Sequence, residues 1–230
     1  MLRFEKPEYK ITEYIESNHY GKFELEPLER GFGTTIGNAL RRVMLSSLPG
    51  SAITSVKIEG VMHEFQKIDG IVEDVTAIVL ALKSIVLKNH SEDDKVIRLY
   101  ADKEGAVTAG DIERDADIEI INPDLVIANL VKGGKLDMEM TVSNGRGYVD
   151  SKTNQKLLGE TKVGVIAIDS LYSPIVRVSY EVESARVGQN ENFELKNMAL
   201  IKSISALSSM ISSFSLSVLI DLTYFKYNIP

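Results

Sequence analysis

Apolar positions alternate at the start of this chain before they become helical. Residues 10–17 and 22–26 switch between apolar and polar side chains, which predicts two paired strands joined through Asn18, His19, Tyr20 and Gly21. Beyond Gly31 and Gly33 the period lengthens. Ile36, Ala39, Leu40, Val43, Met44 and Ser47 fall at the i, i+3, i+4, i+7 spacing of one buried helix face. The glycines open the turn, Thr34 or Thr35 is expected to accept from the first free amides, and Pro49-Gly50 closes the far end. The opposite face carries Asn38, Arg41, Arg42 and Leu45. Two fixed charges beside an amide and a leucine suit a protein contact better than bulk water, so this helix is expected to serve two surfaces.

Residues 52–59 read as a strand of poor alternation, and Asp69-Gly70 then introduces a helix with Val72, Val75, Val79, Leu82 and Val86 on one face. From residue 96 the period becomes that of strands: 96–100, 118–121, 126–130 and 136–142, separated by turn residues such as Asn122-Pro123, Gly133-Gly134 and Asn144-Gly145. In the last of these, Leu136, Met138, Met140 and Val142 point inward while Asp137, Glu139 and Thr141 face water. Longer strands return at 163–168 and 176–187. Their return predicts an α+β fold in two parts, in which an antiparallel sheet with helices (1–50 and 172–230) is interrupted by an inserted, β-rich α+β domain (51–171).

The last forty residues have a different character. Leu200, Ile204, Leu207, Ile211, Phe214 and Val218 recur at alternating spacings of 4 and 3, a seam suited to pairing with another helix. Residues 203–220 carry no charge and reach the ~18-residue length at which a membrane span is considered. Eight serines in that window disfavour insertion, so helix packing is the expected role.

Composition narrows the functions available. With 44% hydrophobic and 26% charged residues the chain is ordinary globular protein, and the absence of cysteine removes disulfide frameworks and thiolate metal sites. The amino terminus, MLRFEKPEYK, has no apolar core like that of a signal peptide, so a cytoplasmic location is expected. A formal charge of −7 with scattered basic residues argues against direct DNA binding, which needs a concentrated basic surface. His19, His63 and His90 have no metal-ligand spacing, and His63-Glu64 lacks the second histidine of a zinc protease. Gly31, Gly33 and Gly37 miss the dinucleotide spacing, and Glu92-Asp93-Asp94 reads as a solvated loop. No catalytic residue, metal or cofactor is expected.

Residues 28–50, LERGFGTTIGNALRRVMLSSLPG, closely resemble the signature of the N-terminal region of bacterial DNA-directed RNA polymerase alpha subunits, LERGFGxTxGNALRRxLLSSxPG, with Met44 at a usual leucine. Further pieces recur in order: IEGVMHE at 58–64, residues 72–74 with Leu82-Lys83, NGRGYV at 144–149, and residues 172–174 with 185–187. After residue 189 the pattern is lost, as a divergent helix, a deletion or a reading-frame change would each cause.

The resemblance implies the same two-part layout, the outer part being a dimerisation domain. It implies an assembly subunit of a nucleotidyltransferase complex in DNA-templated transcription: a homodimer that scaffolds the beta and beta-prime subunits, with omega and sigma in the larger complex. The transferase chemistry would lie in another subunit, and the family's C-terminal domain, which binds DNA and activators, is not expected within this chain. The expected dimer interface is Ile36, Leu40, Val43, Met44 and Ser47 with Leu207, Ile211, Phe214 and Val218. By position in the motif, Arg42 is expected to contact beta, with Arg41, Asn38 and His63 as further candidates. Two alternatives stand beside this reading. One is a self-contained enzyme using Glu64, Glu73 and Asp74 in a pocket between the lobes; the other is a homodimeric structural protein that does not join polymerase.

Overall fold

A computed structural model describes residues 8–15, 20–113, 115–159, 164–187 and 190–203. Along the chain run β1 (Glu8–Ile15), β2 (Tyr20–Glu29), α1 (Phe32–Ser46), β3 (Pro49–Ile58), α2 (Val75–Lys83), β4 (Leu87–Asn89), β5 (Lys95–Ala101), β6 (Gly105–Thr108) and β7 (Ile118–Ile120). There follow β8 (Val126–Leu130), β9 (Leu136–Arg146), β10 (Tyr148–Val149), α3 (Ser151–Leu157), β11 (Val165–Ala167), β12 (Ser170–Leu171), β13 (Ile175–Val187) and β14 (Asn190–Ser203). The chain divides into two units, Met1–Leu45 with Pro174–Pro230, and Ser46–Ser173. The described sheets pair their strands antiparallel, an α+β architecture.

The first unit is built on a four-stranded sheet in the order β1-β2-β14-β13. β1 pairs with β2 from Glu8 opposite Glu26 to Ile15 opposite Tyr20, with a bulge between Ile11 and Glu13. Pro27 has no N–H to give a ladder, and β14 slips register opposite it, between Glu194 and Lys196. β14 was not foreseen: Leu200, expected in a helical seam, lies in this strand opposite Val178 and Gly21. Ile204, Leu207, Ile211, Phe214 and Val218 lie outside the described residues.

α1 corrects two expectations. The helix is already under way at Phe32, so Thr34 and Thr35 sit inside it, and the Thr35 hydroxyl donates back to the Gly31 carbonyl at 3.5 Å instead of capping the free amides. Its buried side chains are also fewer than the spacing predicts. Gly33, Gly37 and Met44 are buried, Ile36 and Leu40 are half-buried, and Ala39, Val43 and Ser47 are exposed. Gly33, Gly37 and Met44 lie on one face at 4 and 7 spacing, and it is this face that is buried, which leaves much of the apolar stripe outside.

The second unit holds the principal core of the described residues. Its sheet, β11-β3-β9-β5, presents Leu136, Met138, Met140 and Val142 of β9 at 1% exposure or less, as the alternation predicts. Ile53, Val56 and Ile58 of β3 and Val75, Ile78, Val79 and Leu82 of α2 belong to the same cluster. α2 begins later than Asp69-Gly70. Asp74 caps it by accepting from Ala77 N at 2.8 Å, and Val72 is left 60% exposed outside the helix. Gly70 (φ +84°) instead lies against Gly134, where a Cβ on either glycine would collide with the other's backbone. Only glycines fit that approach, and Val131 N donates to Gly70 O at 3.0 Å across it.

α3 was also missed, because its anchor is polar. Asp150 caps it by accepting from Thr153 N, while buried Asn154 donates to Ile168 O at 2.6 Å and Ser170 Oγ at 2.9 Å. Ser170 Oγ in turn donates to Ile53 O at 2.9 Å, completing a buried polar staple to β3.

Candidate protein-interaction surfaces

With Gly33, Gly37 and Met44 turned inward, α1 shows three different faces. Phe32, Ile36, Ala39 and Val43 follow each other at the 4, 3, 4 spacing of one helical stripe, and Phe32 is 54% and Val43 40% exposed. That stripe is apolar and only partly covered. Asn38, Arg41 and Leu45 form a second stripe at 3 and 4 spacing, and Arg42 is exposed on the side away from the buried strip.

The second stripe faces β13. Arg41 and Leu45 wall a groove of about 490 Å³ with residues 176–180 of that strand, and Tyr180 Oη donates to Asn38 Oδ1 at 2.7 Å at its end. Val178 is buried beneath the groove while Val176 is 68% exposed at its lip. Arg177 also lines it, so the groove carries two guanidinium-bearing residues and, among the described residues of its walls, no acid. Such a surface offers fixed donors beside apolar area, the composition of a contact anchor.

His63 belongs to the second unit, in a loop whose shape is set by Gln66. The Gln66 side chain accepts from Met62 N at 3.0 Å and donates to Gly60 O at 3.0 Å, and its own backbone N–H donates to His63 O at 3.2 Å. Thr76 Oγ1, near the start of α2, donates to Glu64 O at 2.9 Å. The loop is thereby held against the helix, and it presents Met62 at 67% and Phe65 at 78% exposure on either side of exposed His63. Met62 and Phe65 were not singled out from sequence. A run of mixed residues gives no period, and the signal available was the glutamine closing a loop of large apolar side chains.

Two of the three acidic residues weighed for acid–base chemistry, Glu73 and Asp74, have their carboxylates engaged in the structure. Glu73 accepts from both Asn129 N and Asn129 Nδ2 at 2.7 Å. Burial alone would raise its pKa, but these two hydrogen bonds outweigh it and hold the carboxyl below the usual range, an ionised acceptor and not a proton donor. Asp74 is the α2 cap, and Glu64 is engaged through its backbone carbonyl. Among the described residues no three histidine or acidic side chains converge as a metal site, and no described helix is long and apolar enough to cross a membrane.

Comparison with known proteins places these surfaces in context. Residues 56–173 match the family described as the RNA polymerase Rpb3/RpoA insert domain. Over 194 residues, 84% of this chain, the sequence is 57% identical to the DNA-directed RNA polymerase subunit alpha of Desulforamulus reducens, 56% identical to that of Symbiobacterium thermophilum and 56% identical to that of Moorella thermoacetica. The match covers 61% of the length of each of these relatives.

Proposed function

This chain belongs to the bacterial DNA-directed RNA polymerase alpha-subunit family, and on that premise we propose that it is an assembly subunit: it pairs with a second copy of itself, and the pair carries the beta and beta-prime subunits, with omega and sigma in the larger complex. It takes part in DNA-templated transcription in the cytoplasm without holding DNA or performing nucleotidyl transfer itself. The observation that carries this reading is the three-sided character of α1.

A helix that buries one strip and leaves Phe32, Ile36 and Val43 partly bare has an apolar stripe for a second copy, on which burial contributes ~1.5 to 3 kcal/mol per large side chain before association costs are subtracted. The polar stripe of Asn38, Arg41 and Leu45, with Arg42 next to it, is turned differently and serves the beta subunit. Met62, His63 and Phe65 add a second contact from the inserted unit. Ile36, Leu40, Val43, Met44 and Ser47 thus divide their roles: Met44 supports the helix, and Ile36 and Val43 meet the partner copy. Leu207, Ile211, Phe214 and Val218 are proposed to join the same interface.

Val43→Asp tests the division. A charge at the C-terminal end of the apolar stripe should convert a sedimenting dimer to monomer at micromolar concentration while the circular dichroism spectrum is preserved. A dimer that survives the substitution would exclude this stripe as the pairing surface.

A further inference from the structure

Resting on the reading of the polar α1 stripe as the beta-subunit contact, we propose that Tyr180 is a positioning residue for that contact. Its phenol holds the Asn38 carbonyl, so that the Asn38 amide donors and the Arg41 guanidinium beside them form a paired donor site for a carboxylate-bearing, extended segment of the beta subunit. The geometry begins with the two ends of an asparagine side chain, one of which accepts and the other donates. Tyr180 Oη donates to Asn38 Oδ1 at 2.7 Å, which occupies the accepting end and turns the NH₂ the other way. Tyr180 is half-buried in β13 and Asn38 is exposed on α1, so a strand fixes the orientation of a side chain that α1 alone would leave to rotate.

The surroundings specify what the donors meet. Asn38 and Arg41 are three apart on one helix and therefore neighbours. Arg41 and Arg177 line the same groove, no acidic residue stands among the described residues of its walls, and Leu45 and exposed Val176 supply the apolar part. Fixed donors, two cations and apolar side chains between a helix and a strand fit main-chain carbonyls and a carboxylate in an extended chain. A basic or purely apolar segment would leave the guanidinium groups unmatched.

The test measures binding of the 230-residue chain to purified beta subunit for the wild type, Tyr180→Phe, Asn38→Ala, Asn38→Asp, the Tyr180→Phe/Asn38→Ala double variant and Arg42→Ala. Tyr180→Phe keeps the ring and removes only the hydroxyl; it and Asn38→Ala should each weaken binding roughly fivefold, the scale of one lost hydrogen bond. The double variant should be no weaker than Asn38→Ala alone, because the phenol acts through the amide. Asn38→Asp keeps an acceptor for Tyr180 and loses the donors, so it should bind at least as poorly as Asn38→Ala.

Wild-type binding by Tyr180→Phe, or full addition of its loss to that of Asn38→Ala, would overturn the positioning role. If Arg42→Ala still weakens binding in that case, the underlying reading of the face stands; if Arg42→Ala is also without effect, that reading fails with it. Should Tyr180→Phe disturb the circular dichroism spectrum, Asn38→Asp decides, and wild-type binding by that variant overturns the inference.

Discussion

Arg42 is exposed on α1, on the side of the helix away from the buried strip of Gly33, Gly37 and Met44. Arg42→Ala should change stability by no more than about half a kcal/mol, the usual range for an exposed position, and weaken beta-subunit binding by ~1 to 3 kcal/mol. Thermal melts and a binding titration read the two quantities; a variant that unfolds or loses the dimer would make Arg42 structural. Asp169 illustrates the opposite case. It accepts from Lys83 Nζ at 2.7 Å and from Ser151 N at 2.8 Å, and these two partners, the lysine first, hold its carboxyl below the ordinary range. A folded-state pKa lowered in this way contributes stability that is present above the unfolded value, near pH 4, and is lost as pH falls through the folded value. Asp169→Asn should therefore be less stable than wild type in urea at pH 7, and the difference should shrink in acid; a gap independent of pH would contradict the assignment. At this scale the arginine pair was legible in sequence because charge on a helical period is conspicuous. The inward turn of Gly33 and Gly37 was not, since a pattern of hydrophobic side chains assigns no weight to a residue that has none.

Elements built on apolar period were readable, and those built on other forces were not. β9 places Leu136, Met138, Met140 and Val142 in the core as its strict alternation requires. β14 contains the unbroken apolar run Met198, Ala199, Leu200 and Ile201, whose period fits a strand or a helix equally, and it is strand pairing with β2 and β13 that decides the matter. α3 has no apolar stripe in SKTNQKL and depends on Asn154. Asn154→Ala should leave the Ile168 carbonyl and Ser170 hydroxyl without that donor in a buried setting, at a cost of ~1 to 3 kcal/mol. Urea unfolding gives this value directly, and a loss within a few tenths of a kcal/mol would show that the staple is dispensable. The late start of α2 has the same origin: Asp69-Gly70 resembles a helix opening, but Gly70 packs on Gly134 and Asp74 supplies the cap.

For the whole molecule, the described residues carry donors and bare apolar side chains on α1 and the 62–65 loop, while Glu73 and Asp74, two of the three acids weighed for catalysis, are tied into the fold. Glu73 and Asp74 serve Asn129 and the α2 amide, so chemistry by these groups would first have to dismantle local structure. The family and the two-part plan were legible because the 28–50 signature is long and the insert returns to strands on its far side. Which faces of α1 stay uncovered was not, because the buried strip is marked by Gly33 and Gly37 and not by the apolar stripe. Whether this chain is a scaffold for larger subunits is decided by sedimentation of the purified chain alone and after titration with the beta subunit. A scaffold should sediment as a dimer and bind beta to give a species of two chains and one beta; a monomer that leaves beta sedimenting on its own would rule the scaffold role out.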